Sequence, residues 1–399
     1  MAGAPDDENE RETNVSSRVR RLAWVGWSAA ALAVLGLIAG FVWLSGIRSF
    51  ESDDAPDHEV PVAAAPPATN LGDLIANRND LPPSVRNYLD NTIYPPGTGR
   101  LAENNYDLLS PNSRHEDFRP IPETFSTNGD EVVSVRLTSD RYYYEGDDPI
   151  ELTLAIRQGT APIEALSISA GATREGRGGL KGNRVGLRFI RDRNSEELTA
   201  RLDPARFADH HGPILVDAQI EYQRGVVHEE TMRLFLTPEG QIPARFTGEV
   251  EDVLSNGSLL VEIGIDVENP GFYRIDANLY DRTGAPLAYS AFKGDLGRGD
   301  SVVPIEFFGR LLLDAGARGP FTLGEIRGYR FIDGGYPDRE RIPDLPGRYP
   351  TDDYGLTSFA PDEYMSPDKQ RMVDLLMEDV ARGIAIDAPP VAAPIGAIQ

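Results

Sequence analysis

Apolar residues follow three different periods along this chain. From Leu22 to Ile47 they run together, 26 residues without a charge. At about 1.5 Å per helical residue such a run exceeds the ~30 Å hydrocarbon core of a bilayer, and it predicts one membrane-spanning helix over 22–47. Trp24 and Trp27 fall at one end and Trp43 at the other, where indoles favour the headgroup zones. From about Asn128 the period is two. Val133, Val135 and Leu137 alternate with Ser134, Arg136 and Thr138, and Ile150, Leu152, Leu154 and Ile156 with Glu151, Thr153 and Ala155. That alternation predicts strands with one buried face. After Ser366 the period becomes helical, with Met372, Leu375, Leu376 and Val380 forming a short apolar stripe.

Extended along the chain, the period-two pattern predicts strands at 166–170, 185–190, 198–202, 214–222 and 226–236, which together make a first antiparallel β-sandwich over 128–240. Tyr142-Tyr143-Tyr144 forms the corner between its first two strands. A second block, 244–333, predicts strands at 246–253, 258–267, 271–280, 286–292, 300–307 and 321–331. Ser255-Asn256-Gly257, Asn269-Pro270-Gly271 and Arg282-Thr283-Gly284 supply its turns. The fold class is therefore mainly β: one N-terminal transmembrane helix, two tandem antiparallel immunoglobulin-like β-sandwiches and a short C-terminal helix.

Other segments connect these units. Residues 71–127 predict a mixed strap, with short helices at 70–76 and 83–89, that packs Tyr106, Leu108 and Leu109 onto the next domain. A second strap, 334–365, is rich in Gly, Pro and Tyr. Ser366 as N-cap, Pro367 at the first helical position, Asp368 in the first turn and Gly383 as stop predict an amphipathic helix over 366–383. It docks on the protein's own β-domain or on another chain. Composition predicts disorder for the tails 1–21 and 384–399 and a Pro/Ala-rich linker over 48–70.

Within the second block, Glu268-Asn269-Pro270-Gly271-Phe272-Tyr273-Arg274-Ile275, Ala277-Asn278-Leu279-Tyr280-Asp281, Gly284-Ala285-Pro286-Leu287-Ala288 and Gly319-Pro320-Phe321-Thr322-Leu323 resemble immunoglobulin-like sandwich modules of the "choice-of-anchor" kind. These modules are attached to many bacterial surface and periplasmic proteins. The resemblance covers about residues 245–332 and implies a spacer, adhesion or partner-presenting module. Such modules share no active site, so no functional residue carries over.

Charge sets the orientation. Arg18, Arg20 and Arg21 precede the apolar run, and Glu51, Asp53 and Asp54 follow it. The positive-inside rule then places the N-terminus in the cytoplasm and the bulk in the periplasm, anchored to a bacterial inner membrane by a single pass. The run is longer than the ~7–15 residues of a cleaved signal's apolar region, and the small-residue stretch Val62-Ala63-Ala64-Ala65 is far from its end, so the segment reads as an uncleaved signal anchor. A net charge of −24 disfavours nucleic acid. Cysteine is absent, which removes disulfides, a lipidation site and thiol chemistry together.

No nucleophile elbow, H-E-x-x-H helix, phosphate loop or dinucleotide fingerprint is present, and no catalytic or cofactor-binding residue is assigned. Asp209, His210 and His211 with Asp217 and His228 are the one concentration suited to zinc, but adjacent histidines on a strand face opposite ways, which favours a solvated loop. Calcium (Ca2+) is the other metal that external acids could hold, through Asp147, Asp148, Glu249, Glu251, Asp252, Asp295 or Asp300, though none forms a calcium loop. Binding candidates are Tyr142, Tyr143 and Tyr144, which could stack on sugar rings, and Arg174, Arg177 and Arg184 in the glycine-rich segment 174–184. That segment is otherwise a long hairpin connection. The expected function is a non-enzymatic, membrane-anchored periplasmic scaffold or interaction module with an envelope protein partner. The alternatives are a glycan- or peptidoglycan-binding module and an accessory subunit of an envelope hydrolase or secretion system.

Overall fold

The structure is a computed structural model and describes residues 70–124, 132–191 and 195–384. The span predicted over 22–47, the N-terminal tail, residues 48–69 of the linker and the chain beyond 384 lie outside the described residues. Among the described residues no helix is long and apolar enough to cross a membrane. They are mainly β, arranged in several sheets whose pairings are antiparallel with one exception.

Eight longer strands build the first body: β1 (Val133–Ser139), β2 (Tyr143–Glu145), β3 (Ile150–Gln158), β4 (Ser167–Gly176), β5 (Gly179–Leu187), β6 (Leu198–Leu202), β7 (Gly212–Gln223) and β8 (Val226–Thr237). β1, β3 and β6 lie side by side in one sheet, and the second runs β2-β8-β7-β4-β5. Leu137, Leu152 and Leu154 from the first meet Ile214, Val216 and Leu234 from the second in one core. The exception to antiparallel pairing is β2, which runs parallel to β8 and sets Tyr143 beside Phe235. The segment 174–184, read as a long hairpin connection, is the end of the β4–β5 hairpin, and the strands themselves reach to within two residues of its turn. Gly176, Gly178, Gly179 and Gly182 carry no side chain to alternate, so the period is lost around the turn and the pattern places a strand only from 185.

The second body contains β9 (Ala244–Ser255), β10 (Ser258–Val267), β11 (Gly271–Tyr280), β12 (Pro286–Leu296), β13 (Gly299–Phe307), β14 (Thr322–Phe331) and β15 (Arg339–Leu345). β9-β10-β13 form one sheet and β12-β11-β14-β15 the other. Val261, Ile263, Ile305 and Phe307 face Tyr273, Ile275, Leu323 and Ile326 across the core. Asn256 and Gly257 both take positive φ, 50° and 73°, as the tight turn between β9 and β10 requires. β15 falls inside the segment expected to be a strap, where Pro343 and alternating charges hide it. Tyr273 is fully buried, and its hydroxyl lies 3.0 Å from the Pro243 carbonyl and 2.6 Å from that of Asn269. Burial pushes this phenol up to about 12, and the contact fixes the short link between the two bodies.

A third core is helical. α1 (Leu71–Ala76), α2 (Pro83–Asn91) and the C-terminal α3 (Pro367–Ala381) bury Leu71, Leu74, Val85, Leu89, Val373 and Leu376 together. The Leu71 amide donates to Gln370 Oε1 at 3.1 Å, and Arg78 pairs with Glu363 at 2.6 Å. The helix start is as expected: the Ser366 hydroxyl accepts from the Lys369 amide at 3.1 Å. Its docking face differs from the predicted stripe. Leu376 is buried, but Met372 and Leu375 are 43% and 55% exposed, and Val373 takes the inward position. Lys369 is also buried, donating to the carbonyls of Thr92 at 2.7 Å and Tyr364 at 3.0 Å, and burial pushes its ammonium down.

Between α2 and β1 the chain threads both bodies. Gly99 and Arg100 pair with β12, the Leu108 carbonyl accepts from Asn278 at 2.7 Å, and Arg119 and Pro120 pair with β1. Its apolar anchors are Leu101 and Ile121, whereas Tyr106, expected to pack, is 76% exposed. Leu376→Ala should therefore destabilise the helical core by about 2–4 kcal/mol, and Leu375→Ala by no more than about 0.5 kcal/mol. Urea unfolding monitored by limited proteolysis after residue 366 checks this; equal losses at the two positions would contradict the observed docking face.

Candidate functional site

The sequence-predicted binding residues converge on internal contacts. Tyr144 is buried and its hydroxyl donates to Asp140 at 2.5 Å while accepting from the Arg141 amide at 3.2 Å. Tyr142 lies under the Arg114 guanidinium at 4.3 Å. Tyr143 stacks on Phe235 at 5.0 Å, and the Arg341 guanidinium of the second body lies 5.2 Å from its ring. Of the corner that could stack on a sugar, Tyr144 is thus buried, and Tyr142 and Tyr143 lie against the protein's own aromatic and guanidinium groups while Tyr143 keeps 37% exposure.

The arginines of the β4–β5 hairpin are also engaged. Arg174 makes a two-pronged pair with Asp209 at 2.8 and 2.5 Å, and it holds that carboxyl below the usual range. Arg184 lies across the sheet to Asp217 at 2.6 Å. It passes over Gly171, where an added Cβ would stand 2.5 Å from the guanidinium, so the absent side chain is what opens the path. Arg177 reaches the Gly335 carbonyl of the second body at 3.4 Å.

The histidines separate rather than converge. His210 Nε2 donates to the Pro213 carbonyl at 2.9 Å. His211 Nε2 donates to the Arg339 carbonyl of the second body at 3.0 Å while Nδ1 accepts from Thr237 at 3.3 Å, and burial pushes this imidazole down. His228 lies 3.3 Å from Glu230. Among the described residues no three His, Asp or Glu side chains are grouped to hold a metal ion. Of the acids considered for calcium, Asp252 is taken by the Tyr354 hydroxyl at 2.6 Å.

Three of these contacts, Arg341 on Tyr143, Arg177 to Gly335 and His211 to Arg339, cross between the two bodies, and Arg341 adds a fourth. The guanidinium donates to Glu145 at 2.7 Å and to Asp344 at 2.7 Å, and the Glu145 side chain is only 7% exposed. Sequence reasoning missed both residues; an arginine in a Pro-rich segment carries no periodic signal. Beside them, strap residues Leu109–Ser113, Arg141, Glu325 and Asp344 line a cleft of about 230 Å³. Glu325 sits at a positive φ of 47°, its carboxylate held by the Tyr280 hydroxyl and by Arg348 at 2.8 Å. The cleft offers a guanidinium facing carboxylates, a polar junction rather than a nucleophile paired with a base.

Burial pushes the Glu145 carboxyl up from its ordinary 4.5, outweighing the pull of Arg341. A carboxyl raised in the native state contributes stability that is present below its unfolded value and lost as pH rises through its native value. The unfolding free energy of the parent, minus that of Glu145→Gln, should therefore fall as pH rises from about 4.5 and then level off. Paired denaturation series across pH 4 to 8 measure it, and a difference that grows with pH would contradict the assignment.

No protein family and no curated protein matches the sequence. Among solved structures, a DUF4785 family protein from Legionella pneumophila subsp. pneumophila str. Philadelphia 1 is similar at 15% identity and a TM-score of 0.40, with 59% of each chain covered. The chain thus spans less than two thirds of that protein's length.

Proposed function

We propose that the chain is a membrane-anchored scaffold of the bacterial cell envelope, a non-catalytic module that holds a protein partner in the periplasm. The observation that supports this reading is the way the two β bodies are fixed to one another. Independent modules on a string need only a linker, and the expected relation of such domains is mobile. Here a largely buried guanidinium that pairs with Glu145 and lies over the Tyr143 ring, a histidine-to-carbonyl bond and a threading strap hold one relation. Such restraint suits a surface that spans both bodies. The engagement of Tyr142, Tyr143, Tyr144, Arg174 and Arg184 in internal contacts favours this reading over recognition of a glycan by those residues.

The charge-free run 22–47 and the linker that follows supply the tether. In-cell cross-linking of the full chain, followed by solubilisation from membranes, should recover one envelope protein in near-equal amount. Arg341→Ala, which frees the two bodies, should lower that recovery at least fivefold at unchanged expression. Recovery of the chain alone, or turnover of an envelope substrate by the purified protein, would overturn the proposal.

A further inference from the structure

A second cleft lies beside the helical core, and of the residues that line it only Glu363 and Tyr364 take part in the contacts above. It opens where the β9–β10 turn, the end of β13 and the strap 360–365 meet, and has a volume of about 270 Å³. Its floor is backbone held at close quarters. The Ala360 amide donates to the Gly257 carbonyl at 2.9 Å, the Gly309 amide donates to Ser258 Oγ at 3.1 Å, and a Cβ at Gly309 would fall 1.9 Å from that same carbonyl. One wall is apolar. Phe308 and Tyr364 meet edge to face at 6.5 Å, and Met365 is 50% exposed beside them.

The rim is acidic. Glu363 is committed to Arg78, and Arg310, the lining cation, is committed to Asp314 at 2.9 Å and to the Pro361 carbonyl at 2.7 Å. Glu306 and Asp362 are exposed and form no ion pair with any described residue. Glu306 also continues onto the outer face of β9-β10-β13. There Glu251 stands directly opposite Glu262, and Asp266 opposite Asp300, with exposed Val253 and Val302 among them. Like charges directly across a sheet are destabilising. An arriving cation would offset the repulsion, and the neighbouring apolar side chains offer it a surface for its methylene stem.

We propose that this cleft and the sheet face beside it dock an extended, basic segment of the partner protein, a Lys or Arg side chain lying along Phe308, Tyr364 and Met365 with its charge at Glu306 and Asp362. The inference rests on the interaction-module reading and adds the partner's chemistry. Charge complementarity carries the choice of occupant. A second copy of this chain, with a net charge of −24, would bring like charge to the face.

Two measurements test it. A synthetic extended peptide of alternating Arg and Leu should bind the full chain in detergent, and the exposed double variant Glu306→Gln/Asp362→Asn should weaken that binding at least tenfold at unchanged thermal midpoint. Asp147→Asn/Asp148→Asn removes the same charge from the first body and should change it less than twofold. Equal weakening by both pairs, or no binding of the peptide, overturns the site. In cells, a photo-cross-linking residue at Met365 should capture a protein through a Lys- or Arg-rich stretch. Capture from Arg201 and not from Met365 overturns the docking site while leaving the scaffold reading in place; capture from neither overturns both.

Discussion

Withdrawing a carboxylate and a guanidinium from water costs several kcal/mol for each ion, and their attraction repays it only where geometry is good and the remaining hydrogen-bonding capacity is met. Glu145 and Arg341 face one another from opposite sides of a domain boundary, and there burial outweighs the attraction, so the Glu145 carboxyl is raised. Arg341 spreads its donors over Glu145 and Asp344 and lies against the face of Tyr143, which itself stacks on Phe235. Tyr143 and Glu145 belong to β2, whose pairing with β8 is the one parallel pairing among the described residues, so the corner that breaks the antiparallel rule is the corner that meets the neighbouring body. A pair of this kind fixes orientation more than it adds stability. Apolar residues could hold the two bodies together, but a buried charge accepts few relative positions.

The strap before β1 and the helical core follow from the same constraint. In chain order the strap meets the second body before the first, pairing with β12 and later with β1. The link between the bodies is therefore doubled by a separate covalent path. α3 returns to α1 and α2, and Lys369 closes that junction by donating to the end of one helix and to the second strap. The ammonium of Lys369 donates to two carbonyls with the Glu363 carboxylate nearby, an arrangement that ties three segments to one charge.

Much of the β architecture was legible because the sequence alternates where a sheet has one buried face. Strands 198–202, 258–267 and 271–280 fall where the pattern places them, and the Asn256-Gly257 turn and Ser366 cap behave as their chemistry requires. The first part of β5 and all of β15 were hidden for a different reason. Glycine erases the period in one and charged residues with proline erase it in the other, and in both the strand is specified by its partner across the ladder. The functional reading had the same limit. Tyrosines and arginines at exposed-looking positions read as binding groups, but whether such a group meets a ligand or another part of the chain depends on long-range contacts that periodicity does not encode. On α3, Met372 and Val373 are neighbours, and only packing decides which of them turns inward.

The two β bodies keep one relation, set by Glu145 and Arg341. Because the chain has no cysteine, single cysteines introduced at exposed Arg201 and Lys293 would carry the only spin labels. A distance distribution between them by pulsed electron resonance is the direct measurement. A single narrow peak in the parent, broadened in Arg341→Ala, is the predicted result; a broad distribution in the parent itself would contradict the account.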